Sequence, residues 1–467
     1  MLETYQGFLT LGVIGAMLLI GILLRANVKP FQNYLIPGAI LGGVVGFVLV
    51  NSGVGGLQTE SFLPFTMHAF SISFMSLCLT NPDPSSELKS SRKEYLRGGM
   101  WMSLIWTASF ALQAAAGAVV IWGYNLFSSE TLAPAYGFLV THGFTQGPGQ
   151  GLAIGGMWEN NYGMADTRIL GLIYANIGFV VAFIMGVPVA RWVVSKKLNA
   201  NKKAAMTEEF LRGIYKDKRK HVIGHETTHS ANIDTLAVHI AVLGVAYFIT
   251  YHWLGWAVAN LKGIPGIGTL CSWGFFFLHG LVVCLIIRFV MNKLGCGHLL
   301  NFGVQKHITG LAVDVMLVSS FMSVKLSVLT QYIVPIVLVC IAATLVTFIL
   351  IWTFGRKLNN LGSERMIAQF GCCCGATANG LLLLRILDPD YSTSVSLELA
   401  FFNVAIIVTT FPLLGLLAPI IPSMSGITVF AIYLVYGLGT LACIHFVGRM
   451  RLGQKSAEID QNLQTQA

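Results

Sequence analysis

Long apolar runs recur along the chain, separated by short polar loops. A helix rising 1.5 Å per residue needs roughly 20 such residues to cross the hydrocarbon core of a bilayer. Eleven stretches read as spans: 7–24, 35–51, 62–80, 99–122, 168–190, 236–255, 270–290, 308–326, 332–354, 397–418 and 427–446. Two further stretches, about 133–158 and 366–387, are apolar but broken by glycine. The first holds Gly143, Gly147, Pro148, Gly149, Gly151, Gly155 and Gly156; the second holds Gly371, Gly375 and Gly380. The pattern predicts an all-α polytopic membrane protein. The first run begins near Gly7 with no basic segment before it and no small-residue cleavage site, so it reads as a spanning helix and not a cleaved signal.

Composition agrees with that pattern: 55% of the 467 residues are hydrophobic and 10% charged, against about 25% charged in a soluble domain. The net charge of +9 does not point to nucleic acid, because the basic residues are scattered through short loops. Placing the N-terminus outside puts 25 of the 29 lysines and arginines in loops on the inner side; only Arg168, Lys262, Lys325 and Arg385 fall elsewhere. Positive loops stay in the cytoplasm, so the expected topology has the N-terminus outside and the C-terminus cytoplasmic. The nine cysteines lack metal-site spacing, and the consecutive Cys372, Cys373 and Cys374 read as small packing residues.

The polar stretch 196–235 divides the chain. Residues 1–195 carry five spans and the first Gly-rich stretch; residues 236–418 carry five spans and the second. Five is odd, so the second half enters the membrane from the opposite side, as in inverted-topology repeats. Ser73-Phe74-Met75-Ser76 and Ser320-Phe321-Met322-Ser323 fall in the third span of each half. The span 427–446 is additional, and 447–467 is a cytoplasmic tail.

The run Thr145-Gln146-Gly147-Pro148-Gly149-Gln150-Gly151 does not suit a regular helix, since each interior glycine costs about 1 kcal/mol and proline about 3. Non-helical backbone survives at membrane depth only when buried in protein or lining a wet cavity. Both Gly-rich stretches are therefore expected to be re-entrant hairpins whose tips meet. Their amides and half-helix ends would hold an anion. The candidate substrate residues are Gln146, Gly147, Gly149, Gln150, Gly151, Gly375, Ala376, Thr377, Asn379 and Arg385. The competing reading is that small residues only let helices pack closely.

QGPGQG at 146–151 followed by GVPVAR at 186–191, GAT at 375–377 followed by LLRILDPDY at 383–391, and YLIPGAILGG at 34–43 resemble the bacterial sodium:glutamate symporter family. The chain departs from that family's pattern at Pro148 and Ala378 and in its additional C-terminal span. The resemblance implies a sodium-coupled carrier for glutamate or a related anionic carboxylate, ten spans with two hairpins, a homodimer, and a place in the bacterial inner membrane. It implies Na⁺ as the coupling ion and no organic cofactor. Candidate Na⁺ ligands are Thr145, Asp314, Ser320 and Thr377.

Three charges needed separate readings. Asp314 lies inside a span, where a carboxylate at mid-depth costs about 2.5–3.5 kcal/mol; it would hold Na⁺, carry a coupling proton, or sit solvated near the helix end. A proton-coupled carboxylate carrier or exporter is the alternative this residue leaves open. Glu398 opens a span and reads as interfacial, and Arg385 pairs either with substrate or with Asp388 or Asp390. His225-Glu226-Thr227-Thr228-His229 has the form of a zinc-protease helix. It lies in the polar linker with no third ligand motif, so His221, His225 and His229 read as a solvated face and an intramembrane protease is disfavoured. The chain is expected not to be an enzyme.

Overall fold

The computed structural model describes residues 2–79, 92–202, 206–215, 223–261, 263–264, 267–358, 360–389 and 393–449. The tail from 450, His221 and Asp390 lie outside the described residues. Fourteen principal helices order the chain: α1 Leu2–Asn27, α2 Gly38–Asn51, α3 Leu63–Leu79, α4 Arg92–Asn125, α5 Pro148–Tyr162, α6 Thr167–Ser195, α7 Thr235–Leu261, α8 Phe276–Lys293, α9 Phe302–Met322, α10 Ile333–Gly355, α11 Gly362–Cys373, α12 Thr377–Leu387, α13 Val395–Phe411 and α14 Gly426–Arg449.

Among the described residues, nine helices are long and apolar enough to cross a bilayer, two fewer than the eleven expected spans. The two exceptions have separate causes. α2 has only 14 residues, about 21 Å of helix at 1.5 Å per residue. α9 has the length, 21 residues, but carries Lys306, His307 and Asp314.

The chain folds into two compact units, and they do not follow the sequence halves. One gathers Met1–Glu87, Pro148–Asn176 and Glu208–Gln331; the other gathers Leu88–Gly147, Ile177–Thr207 and Tyr332–Ala467. The expected halves 1–195 and 236–418 thus each contribute to both units.

In the first unit the two Ser-Phe-Met-Ser sequences sit in α3 and α9, which pack on each other and share a hydrogen bond from Thr66 Oγ1 to Ser319 Oγ at 2.9 Å. Lower on the same seam, Ser76 Oγ accepts from Gln305 Nε2 at 2.8 Å and Thr309 Oγ1 at 2.9 Å. Each Phe-Met pair then meets the preceding helix of the opposite half. Phe74 stacks edge-on against Phe277 of α8, and Met75 fills the space beside Gly280. Phe321 and Met322 occupy the matching places beside Gly43 and Gly46 of α2. With little hydrophobic drive between helices in lipid, such small-residue contacts carry the association.

In the second unit α4 is the central strut. Trp101, Met102, Ile105, Ala108, Phe110, Ala111, Ala114 and Ala118 are all inaccessible or nearly so, and the helix is packed by α10, α13 and α14. Its few buried polar side chains, Ser103, Thr107, Ser109 and Gln113, are hydrogen-bonded there. α11 and α12 form a helical hairpin: Gly371 lies against Asn379 and Gly380, while Gly380 lies against Ala368 and Cys372. No side chain could fit at either glycine contact, and the arms come together backbone to backbone.

The first Gly-rich stretch is divided between the two units, which part after Gly147. A short helical segment Ala135–Phe138 leads to a widened π turn Thr141–Thr145, and the chain breaks before α5 starts at Pro148. In one unit Phe144 packs on Gly178 of α6; in the other Gly151 packs on Gly171 and Gly155 on Thr167 of the same helix.

Candidate substrate and ion site

Two glycines create the breaks that chemistry can use. Gly147 has φ +88° and Gly375 has φ +121°, a region that an L side chain enters only at a cost of about 1–2 kcal/mol. Pro148 follows as the first residue of α5, where its missing N–H costs nothing and its fixed φ suits a helix start. Ala376 is extended (φ −166°, ψ 162°) and no side chain caps α12. The first N–H groups of a helix have no partner within it, and such ends attract anions.

In the second unit the two breaks touch. A methyl group added at Gly147 would stand 2.9 Å from the Gly375 carbonyl oxygen. The buried ring of Phe179 lies against both glycines. Gly147 and Gly375 are buried, whereas Gln146, Ala376 and Thr377 stay half-buried. A small polar surface is thus left around a meeting point of two non-helical backbones.

Side chains from α4, α10 and α13 hold this meeting point. Thr145 Oγ1 lies within hydrogen-bond reach of Gln113 Oε1 and of the Cys373 carbonyl, the latter at 3.1 Å. Gln113 Nε2 donates to Thr347 Oγ1 at 2.6 Å and lies 3.4 Å from the Cys373 carbonyl. Trp106 Nε1 donates to the Cys372 carbonyl at 3.2 Å, and Asn379 Nδ2 donates to the Cys374 carbonyl at 3.0 Å. Thr377 Oγ1 donates to Asn403 Oδ1 at 2.6 Å. His142 Nδ1 lies 3.3 Å from Gln146 Oε1. The three consecutive cysteines therefore matter through their carbonyls; their thiols are buried packing groups.

Of the expected substrate residues, the second unit contains Gln146, Gly147, Gly375, Ala376, Thr377, Asn379 and Arg385. Arg385 is exposed in the last turn of α12, while Asp388 is buried and accepts from the backbone and hydroxyl of Thr393 at 2.8 and 2.7 Å. The first unit contains Gly149, Gln150 and Gly151. Gly149 and Gly151 are packing positions there, since a Cβ would strike the Phe70 ring at 1.9 Å from Gly149, and Gly171 approaches the Gly151 carbonyl. Gln150 is buried, and its amide nitrogen has no hydrogen-bond partner among the described residues.

The expected Na⁺ ligands divide likewise. Thr145 and Thr377 belong to the second unit; Asp314 and Ser320 belong to the first. Ser320 Oγ donates to Asn176 Oδ1 at 2.8 Å. Asp314 is exposed midway along α9, three turns past that helix's start at Phe302. Glu398, expected at an interface, is instead fully buried and ion-paired with Arg365.

Sequence reading missed Trp106, Gln113, Thr347 and Asn403. Their signal was available: polar side chains inside long apolar spans are costly and point inward. The HETTH segment is not helical. Thr227 Oγ1 donates to the Leu299 carbonyl at 2.8 Å, and His229 Nδ1 accepts from Ala231 N at 3.1 Å. Its histidines do not stand one helical turn apart, as the protease motif requires.

Helix breaks at Gly147 and Gly375, surrounded by polar side chains from long apolar helices, fit one class: a multi-pass membrane carrier. The sodium/glutamate symporter family model matches residues 2–386, most of the chain. The chain belongs to that family, one of transporters and not of enzymes. The match ends within α12, so α13 and α14 lie beyond it. A search of the curated proteins found no match.

Proposed function

We propose that this protein takes up glutamate, or a closely related anionic carboxylate, in symport with Na⁺ by alternating access. The observation that carries the reading is the contact of Gly147 with the Gly375 carbonyl. Two breaks in helical backbone meet there beside the uncapped start of α12, which suits a carboxylate held by main-chain N–H groups. The half-buried Gln146, Ala376 and Thr377 border the same place and would contact substrate. Thr145, Thr377, Asp314 and Ser320 remain the candidate Na⁺ oxygens.

Two inverted repeats account for the exchange of Phe74-Met75 and Phe321-Met322 against each other's neighbouring helices. The loop charges support an external N-terminus, and the family supports a homodimer in a bacterial inner membrane. The exposed Asp314 favours a second reading, a carboxylate carrier driven by protons through that residue.

Uptake of labelled glutamate into proteoliposomes decides between them. An inward sodium gradient should drive accumulation at fixed pH. Flux that ignores sodium and follows a pH gradient would overturn the sodium assignment.

A further inference from the structure

Arg365, in α11 of the hairpin, and Glu398, in the first turn of α13, form a doubly hydrogen-bonded ion pair. Nε meets Oε2 and Nη2 meets Oε1, both at 2.7 Å, and neither side chain has any exposed surface. Each partner has a further hydrogen bond: Arg365 Nη1 donates to the Asn360 carbonyl at 2.7 Å, and Ser394 Oγ donates to Glu398 Oε1 at 2.8 Å. α4 makes room for it at Gly98, where a Cβ would stand 2.2 Å from the carboxylate.

Stability alone is a poor explanation for such a pair. Desolvating two charges often costs as much as their attraction returns, and well-packed apolar residues frequently serve as well. A planar, two-pronged guanidinium–carboxylate contact does fix direction and register, which apolar packing does less sharply.

The rest of the hairpin is tied in the same manner. Ser363 Oγ donates to the Leu198 carbonyl at 3.1 Å, Asn199 Nδ2 donates to the Leu387 carbonyl at 3.2 Å, and Ala200 N donates to Glu364. Both feet are therefore joined to the segment Leu198–Ala200 that follows α6. At the tip, Trp106 and Gln113 reach the Cys372 and Cys373 carbonyls.

We propose that the Arg365–Glu398 pair is a positioning element for transport. It sets the register of the α11–α12 hairpin so that Gly375 stays against Gly147, and it makes the hairpin move as one body with α4 and α13 instead of opening as a separate gate. This deepens the transport reading and rests on it.

The test is Glu398→Gln, with Glu398→Asp as the conservative variant. Amide hydrogen exchange in the purified protein is measured beside glutamate uptake. In Glu398→Gln, exchange at 374–380 should quicken roughly tenfold or more, about 1.4 kcal/mol of lost protection, with α1 to α3 unchanged. KM for glutamate should rise while the maximal rate is largely kept, and Glu398→Asp should recover part of both. Wild-type tip exchange and wild-type KM in a folded Glu398→Gln protein would overturn the proposal. So would a uniform rise in exchange with KM unchanged, since that marks a purely structural pair. If Glu398→Gln fails to insert, Ser394→Ala removes one hydrogen bond and keeps the pair. It should give a smaller shift at the same amides, and no shift there would overturn the proposal. A wild-type protein that takes up no glutamate sinks the transport reading, and tip exchange still decides the clamp.

Discussion

Replacing Gly147 with alanine tests the meeting of the two breaks with the smallest possible change. The native φ of +88° costs an L residue about 1–2 kcal/mol. The added methyl would also stand 2.9 Å from the Gly375 carbonyl oxygen, a backbone atom that cannot swing away. Overpacking of this kind adds on the order of 1–3 kcal/mol. The two effects together come to about 2–5 kcal/mol against the native geometry. At 1.4 kcal/mol per factor of ten, even the lower bound lowers occupancy of the competent arrangement by roughly thirtyfold. The assay is sodium-driven glutamate uptake in proteoliposomes, beside the thermal midpoint of the purified protein. Gly12→Ala is the control, because nothing lies within 4 Å of a Cβ there and the site is exposed in α1. Its helix should gain up to about 1 kcal/mol, with uptake unchanged. Gly147→Ala protein that transports and melts like wild type would refute the argument that this glycine is constrained by its contact with Gly375.

Gln113→Leu should lower stability by about 1–3 kcal/mol, the cost of leaving buried hydrogen-bonding groups unmade. It removes the shared partner of Thr145 and Thr347 and should slow uptake beyond what the lost stability explains; melting and uptake measured on one preparation check this. His225→Ala should leave uptake at the wild-type rate, because the HETTH segment is a non-helical loop tied to Leu299 by Thr227. A variant that loses both bound zinc and activity would revive the protease reading.

Much of the candidate site was legible residue by residue. Gly147 and Gly375 stood out because glycine and proline at apolar depth break helices wherever they occur, a local effect. Gln113 and Thr347 carried the same kind of signal, as polar groups inside spans, but nothing in their spacing tied them to Thr145 or to a carbonyl 260 residues downstream. Glu398 was misplaced because its position at a helix start is compatible with solvent as well as with a buried arginine 33 residues earlier. Only packing chooses between the two.

What the sequence determined by itself was the solvent and most of the spans: hydropathy is a sum over neighbouring residues, and a bilayer reads it directly. The family match rests on the same linear order. The tertiary structure alone decided which segments share a unit. It closed α11 and α12 on each other at the second Gly-rich stretch and divided the first between the two units after Gly147. The physical reason is that a glycine permits a break without directing it. Whether the chain then reverses is settled by the neighbours it packs against. Gly371 and Gly380 let two arms close on each other, whereas Gly151 and Gly155 close on α6.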